Sequence, residues 1–170
     1  MISFDDALEI LREAGTAQNV IEHCMEVSKA SVDIAKILQS RGEEVDIELV
    51  RIGGLLHDLG RSRVHDISHA HVGALMAKEL GLDDRLIAII RNHIGAGITK
   101  EEAKELGLPE EDFLPRSIEE KIVAHADNLV KGTKRISIKK RASLMKTNGA
   151  SSESIARVLS LAKELGITKL

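Results

Sequence analysis

Apolar residues recur along the chain at three- and four-residue intervals, the period of a helix that buries one face, and no segment alternates like a half-exposed strand. Leu8 and Leu11 follow Ser3 and Asp6, which resemble a capping box, and Gly15 stands where that first helix would stop. From about Val20 to Arg41 the set His23, Val27, Ala30, Ile34 and Ile37 predicts a longer helix, stopped by Gly42. Asp46 caps a third, with Leu49, Val50, Ile52, Leu55 and Leu56, that runs into His57-Asp58-Leu59-Gly60, with Gly60 as the expected cap. Ser62 to Ser68 reads as a polar loop. A short helix follows from near His69 to Leu80, closed by Gly81.

Asp83 begins the next, where Leu86, Ile89, Ile90 and His93 fall on one face before Gly95 and Gly97. Two further capping boxes, Thr99 with Glu102 and Ser117 with Glu120, flank a turn region holding both prolines, Pro109 and Pro115. The second box opens the helix that carries Asp127. A final amphipathic helix spans about Ser152 to Leu165, ended by Gly166. The pattern predicts an all-α fold: a single compact, irregular bundle of seven to eight helices over residues 1–170, with the candidate chemistry inside about 18–132 and a basic segment and last helix at 133–170.

Composition narrows what such a bundle does. At 170 residues, 43% hydrophobic and 30% charged, the chain has the balance of a folded domain. With no Trp or Tyr and only two Phe the core must be aliphatic, and aromatic platforms for stacking bases are missing. The formal charge of −3 gives no sign of a dedicated nucleic-acid binder, so nucleic acid is not the favoured partner. The single Cys24 excludes an internal disulfide and a cysteine-rich zinc cluster, and reads as a small buried hydrophobe in a reducing compartment. The N-terminus has no basic-then-apolar leader and no apolar run approaches a membrane span, so a cytoplasmic location is expected.

Five of the seven histidines lie between His57 and His93. Neutral imidazole together with carboxylate suits iron, manganese, cobalt, nickel or zinc. Neighbours on a regular helix diverge by about 100°, so adjacent ligands such as His57 and Asp58 converge only where the helix ends.

The order of His23, then His57-Asp58 in Gly54-Leu55-Leu56-His57-Asp58-Leu59-Gly60-Arg61, then Asp127 in Ala124-His125-Ala126-Asp127-Asn128 resembles the HD-domain phosphohydrolase superfamily. That family's motif is a His, a His-Asp pair followed by Gly, and a distant Asp. Here Leu59 and Arg61 replace the frequent Ile and Lys, and Arg cannot donate a proton as Lys does. The resemblance implies His23, His57, Asp58 and Asp127 as metal ligands. It also implies His69 and His93 as the added histidines of members holding two ions, with His71 the alternative to His69. The implied reaction is hydrolysis of a phosphomonoester or phosphodiester, in a nucleotide or related small molecule, by metal-bound hydroxide. The cofactor would be two divalent ions, Mn, Fe, Co, Ni, Zn or Mg, with Asp58 bridging them and Asp58 and Arg61 as catalytic residues. Arg61 and Arg63 are candidate phosphate contacts, and so is Lys131.

His125, two residues from Asp127 and on another helix face, reads as structural, and His65 as a solvated loop residue. Between Asn128 and Ser152 there is no acidic residue, while Lys131, Lys134, Arg135, Lys139, Lys140, Arg141 and Lys146 are basic. This stretch is either a solvated face or a source of attraction for an anionic substrate. The competing functional class is a non-catalytic helical domain of the same fold that binds a nucleotide or RNA.

Overall fold

Three helices begin on a hydroxyl residue that accepts from the backbone N–H three residues on, while an acidic side chain returns to the cap's own N–H. The pairs are Ser3 with Asp6, Thr99 with Glu102 and Ser117 with Glu120. Each box satisfies two of the donors that a helix start leaves open. Asp46 accepts from the Leu49 N–H and fixes a fourth start. In the computed structural model, which describes residues 2–170, these caps belong to α1 (Phe4–Glu13), α6 (Lys100–Glu105), α7 (Ile118–Asn128) and α3 (Ile47–Leu56). The other helices are α2 (Gln18–Ser40), α4 (His69–Glu79), α5 (Asp84–Asn92), α8 (Ile138–Thr147) and α9 (Ser152–Leu165). A single 3-10 turn, Leu59–Ser62, joins α3 towards α4, and β1 (Val130–Lys131) pairs antiparallel with β2 (Lys134–Arg135).

α3 is the central element. Its Leu49, Val50, Ile52, Gly53, Gly54, Leu55 and Leu56 are all buried, and it packs on α1, α2, α5 and α7. A helix buried on nearly every face needs small residues where neighbours come close. At Gly54 an added Cβ would lie 2.8 Å from the Ser28 Cα, so α2 and α3 touch through backbone there. Ser28 also donates from Oγ to the Arg51 carbonyl across this contact. The core that results is one continuous aliphatic cluster drawing on every long helix, and each fully buried Leu or Ile side chain contributes about 1.5–3 kcal/mol. Phe113 anchors a small separate cluster with Ile98, Ala103 and Leu108.

The all-α class is the one expected, but nine α-helices are present among the described residues. The additional one is α8, in the basic stretch. Its inward residues Ile138, Ala142 and Met145 are spaced for a helix but thinly sown among lysines, and Ser137 caps it by accepting from the Lys140 N–H. The two-residue strands of β1 and β2 are too short to show alternation. Gly60 is not the left-handed cap expected of it: α3 ends at Leu56, His57 remains right-handed, and Gly60 lies inside the 3-10 turn. No helix among the described residues is long and apolar enough to cross a membrane.

Candidate metal centre

Each of four histidines has one ring nitrogen tied to a main-chain carbonyl. His57 Nδ1 lies 2.7 Å from the Gly54 oxygen, His69 Nδ1 2.7 Å from Asp66, His93 Nδ1 2.7 Å from Ile90, and His23 Nδ1 2.8 Å from Gly132. A carbonyl only accepts, so each Nδ1 carries the proton and donates it. The metal-binding lone pair of a neutral ring is then on Nε2, and the four Nε2 atoms belong to overlapping groups around Asp58 and Asp127. His23 comes from α2, His57 and Asp58 from the end of α3, His69 from the first residue of α4, His93 from just beyond α5, and Asp127 from the last turn of α7.

Asp58 stands between two groups. Its Oδ1 is 3.1 Å from His69 Nε2 and 3.5 Å from His93 Nε2, while its Oδ2 is 3.6 Å from His57 Nε2 and 2.8 Å from Arg61 Nε. Asp127 Oδ1 lies 3.0 Å from His23 Nε2 and 3.7 Å from His57 Nε2. Two sets of three ligand atoms that include Asp58 therefore lie within 4.8 Å of one another: His23, His57, Asp58 and Asp58, His69, His93. A third such set, His57, His93 and Asp127, links them. Divalent cations fit this arrangement on two counts. His57 Nε2 is fully buried with no hydrogen-bond partner, and His69 and His93 bring their Nε2 lone pairs to 3.2 Å. Two lone pairs facing each other in a buried site repel unless a cation lies between them or one takes a proton.

Without a cation the charges settle differently at each ring. Burial is the strongest influence on His23, but the hydrogen bond and charge of Asp127 outweigh it and raise its pKa to about 9. For His57 burial prevails over Asp58 and Asp127 and lowers it to about 4. Burial raises Asp58 less than the charge of His57 and the bonds from His69 and His93 lower it, so it stays ionised. His23 and His57 act on stability in opposite directions. His23, raised, stabilises fully below its unfolded value near 6.5, and that contribution fades as pH climbs to about 9. His57, lowered, is neutral in the fold above 6.5, and its contribution fades as pH falls to about 4. In EDTA these two groups are therefore expected to make the protein most stable near pH 6.5, with stability lost both towards pH 8 and towards pH 5. Urea denaturation across that range checks it; a stability that rises steadily from pH 5 to 8 would contradict the assignment.

A cleft of about 400 Å³ opens onto this cluster, lined by Ala17, Asn19, Val20, His23, Asp58, Arg61, His65 and Gly132. Arg61 is on its rim, held through Nε by Asp58. Arg63 is not brought to the cleft: it faces Glu79 at 3.9 Å and lines a separate groove with Ile10 and Met76. Lys131 is exposed on β1, next to the glycine whose carbonyl accepts the hydrogen bond of His23 Nδ1. His71 turns away towards Phe113, and His125 is buried with Nε2 2.7 Å from the Ile167 carbonyl. Asn19 escaped the sequence reading, although four residues before His23 it shares that helix face. Gly132 escaped it entirely, since its part is played by a main-chain oxygen. A larger hollow, about 560 Å³ beside Phe4, Met25 and Arg51, contains none of the cluster residues.

Comparison with known proteins gives the same region a family. The profile of the HD domain matches residues 20–132. An uncharacterized protein of Methanocaldococcus jannaschii is 57% identical over 137 residues, covering 81% of this chain and 80% of its own length. A tRNA (cytidine(56)-2'-O)-methyltransferase of Thermoplasma volcanium is 47% identical over 131 residues, 77% of this chain, yet the chain spans only 37% of that protein's length. Among solved structures, the HD domain of the Listeria monocytogenes phosphodiesterase PgpH, in complex with cyclic-di-AMP, superposes with a TM-score of 0.56 at 18% identity. That match covers 95% of this chain and 96% of the other. With the profile spanning two thirds of its length, and with that profile's stretch holding all six converging residues, the chain belongs to the HD domain family.

Proposed function

We propose that the chain is a phosphohydrolase that uses two divalent cations, one held by His23, His57 and Asp127 and the other by His69 and His93, with Asp58 shared between them. The observation that carries this reading is the single carboxylate placed between imidazole nitrogens on both sides, with His69 and His93 at one oxygen and the otherwise unpartnered His57 Nε2 at the other. Such ions neutralise the anionic oxygens of a phosphoester and lower the pKa of water, the two obstacles to its hydrolysis at neutral pH. The chain's own residues then have separate tasks. Asp58 keeps both sides in register and fixes Arg61 through Nε at the cleft, where its guanidinium can meet a substrate phosphate. Four imidazoles and no accessible thiolate favour Mn, Fe, Co, Ni or Zn over Mg, which prefers an oxygen shell.

A nucleotide-type phosphoester is the substrate class supported by the fold neighbour, a phosphodiesterase domain in complex with cyclic-di-AMP. The match to the methyltransferase takes in 37% of that protein's length, so its named activity is not carried over. The test is to strip the protein with chelator, reload it with Mn, Fe, Co or Ni, and follow phosphate or alcohol release. Substrates would be p-nitrophenyl phosphate, bis(p-nitrophenyl) phosphate and 2',3'-cyclic, 3',5'-cyclic and 5'-nucleotides. Turnover of at least one, abolished again by EDTA, is expected, with two ions bound per chain. A fully metal-loaded protein inert towards all of them would overturn the reading in favour of a binding domain.

A further inference from the structure

The formal charge of −3 conceals a partition. Between Asn128 and Ser152 lie seven Lys and Arg and no acid, so the remainder of the chain carries −10. Two of the seven are engaged inside the fold. Arg141 donates to the carbonyls of Asp127 and Asn128 at the end of α7, and Arg135 pairs with Glu26 and Asp33 of α2. Lys131, Lys134, Lys139, Lys140 and Lys146 are exposed, and none makes an ion pair among the described residues. Of the acids on α2, Glu26 and Asp33 are already met by Arg135.

Their position is as telling as their charge. Gly132, at the hairpin turn between Lys131 and Lys134, lines the metal cleft, and its carbonyl accepts the hydrogen bond of His23 Nδ1. Arg141 fastens α8 to the carbonyl of Asp127 itself. Lys139 and Lys146, seven residues apart, share one face of α8 and carry the charge about 10 Å further along its axis. The chemistry at the cleft is that of phosphoesters, and the ledge beside it matches several more phosphates than a mononucleotide owns. We propose that the β1–β2 hairpin and α8 bind the sugar-phosphate backbone of a polynucleotide, delivering one of its phosphodiesters to the metal centre. The destination of the strand rests on the phosphohydrolase reading; its binding to the ledge does not. Phe4 and Phe113 are engaged by Arg51 and Arg91, and the chain has no Trp or Tyr. Recognition is therefore by charge along the strand, indifferent to sequence and sensitive to salt.

The experiment measures anisotropy of 5'-labelled 20-nucleotide single strands of mixed sequence, RNA in one arm and DNA in the other. It uses the full chain in EDTA, from 0.05 to about 0.3 M salt. Five lysine–phosphate contacts give a slope of log K against log salt of about −3.5 for a single strand. The variant Lys139→Gln/Lys140→Gln/Lys146→Gln, with an unchanged melting temperature, is expected to bind at least about tenfold more weakly at 0.1 M salt and to flatten the slope by about 2. Preference for the RNA arm would assign part of the affinity to the 2'-hydroxyl. Failure to bind either strand, a slope near zero, or affinity indifferent to the triple substitution would overturn the proposal. The wild-type slope decides even if the variant melts early. Binding in EDTA without turnover after metal loading would remove the hydrolase reading and leave the ledge; turnover of small esters without strand binding would do the reverse.

Discussion

Asp58→Ala is expected to abolish turnover and empty both halves of the metal site at once. One oxygen of this carboxylate faces His69 and His93 and the other faces His57 and Arg61, so it is the side chain shared by the triads His23, His57, Asp58 and Asp58, His69, His93. Metal stabilisation of a phosphoryl transition state is worth several kcal/mol, and each 1.4 kcal/mol is a factor of ten. The loss in kcat/KM is therefore at least about a thousandfold. Elemental analysis after gel filtration should show metal content falling from two ions per chain towards none. Asp58→Asn keeps the shape and loses the charge, and it should fail in the same way, which separates a charge role from a packing role. Either variant retaining both ions and turning over would sink the assignment.

The second large effect is expected from Gly60→Ala. A Cβ at this position would sit 2.0 Å from the His69 carbonyl oxygen and 2.6 Å from the Gly73 nitrogen, and both are main-chain atoms of α4. No flexible side chain is there to give way. The whole first turn of α4 must retreat, and His69 retreats with it. Overpacking against backbone costs about 3 kcal/mol, at the upper end for an inserted methyl. Displacing a ligand's support costs about 10- to 100-fold in metal affinity. Urea denaturation and calorimetric metal titration should thus show a destabilised protein in which the ion held by His69 and His93 binds weakly while the other binds nearly as before. Wild-type stability with two equal sites would show that the approach of the 3-10 turn to α4 is not needed.

Much of this was legible in the sequence, for physical reasons that differ from residue to residue. Capping boxes announce helix starts because the same short side chains that close the first turn are poor elsewhere. The ligand candidates stand out because imidazoles and a carboxylate on inward faces, or at the end of an apolar helix, have no packing use. What stayed hidden depended on tertiary context. Arg61 and Arg63 look equivalent in the sequence; the 3-10 turn sends the first to the cleft and the second towards Glu79. Gly60 reads as a cap, because a glycine after a helix usually is one. Only the closeness of α4 shows that it is there for want of a side chain. The hairpin and α8 were invisible for a third reason: lysines mask the period of the few apolar residues that hold α8 down.

The carbonyls that orient three of the histidines belong to residues three positions earlier in the same chain segment: Gly54 for His57, Asp66 for His69, Ile90 for His93. Main-chain oxygens are not deleted by substitution. The protonation pattern of these rings is thus inherited with the backbone trace itself, and the flanking side chains are free to drift without disturbing it. His23 is the exception, since its carbonyl comes from Gly132, 109 residues away. A lineage that shortened or lost the β1–β2 hairpin would keep three correctly set imidazoles and release the fourth, so decay of this centre would start at His23.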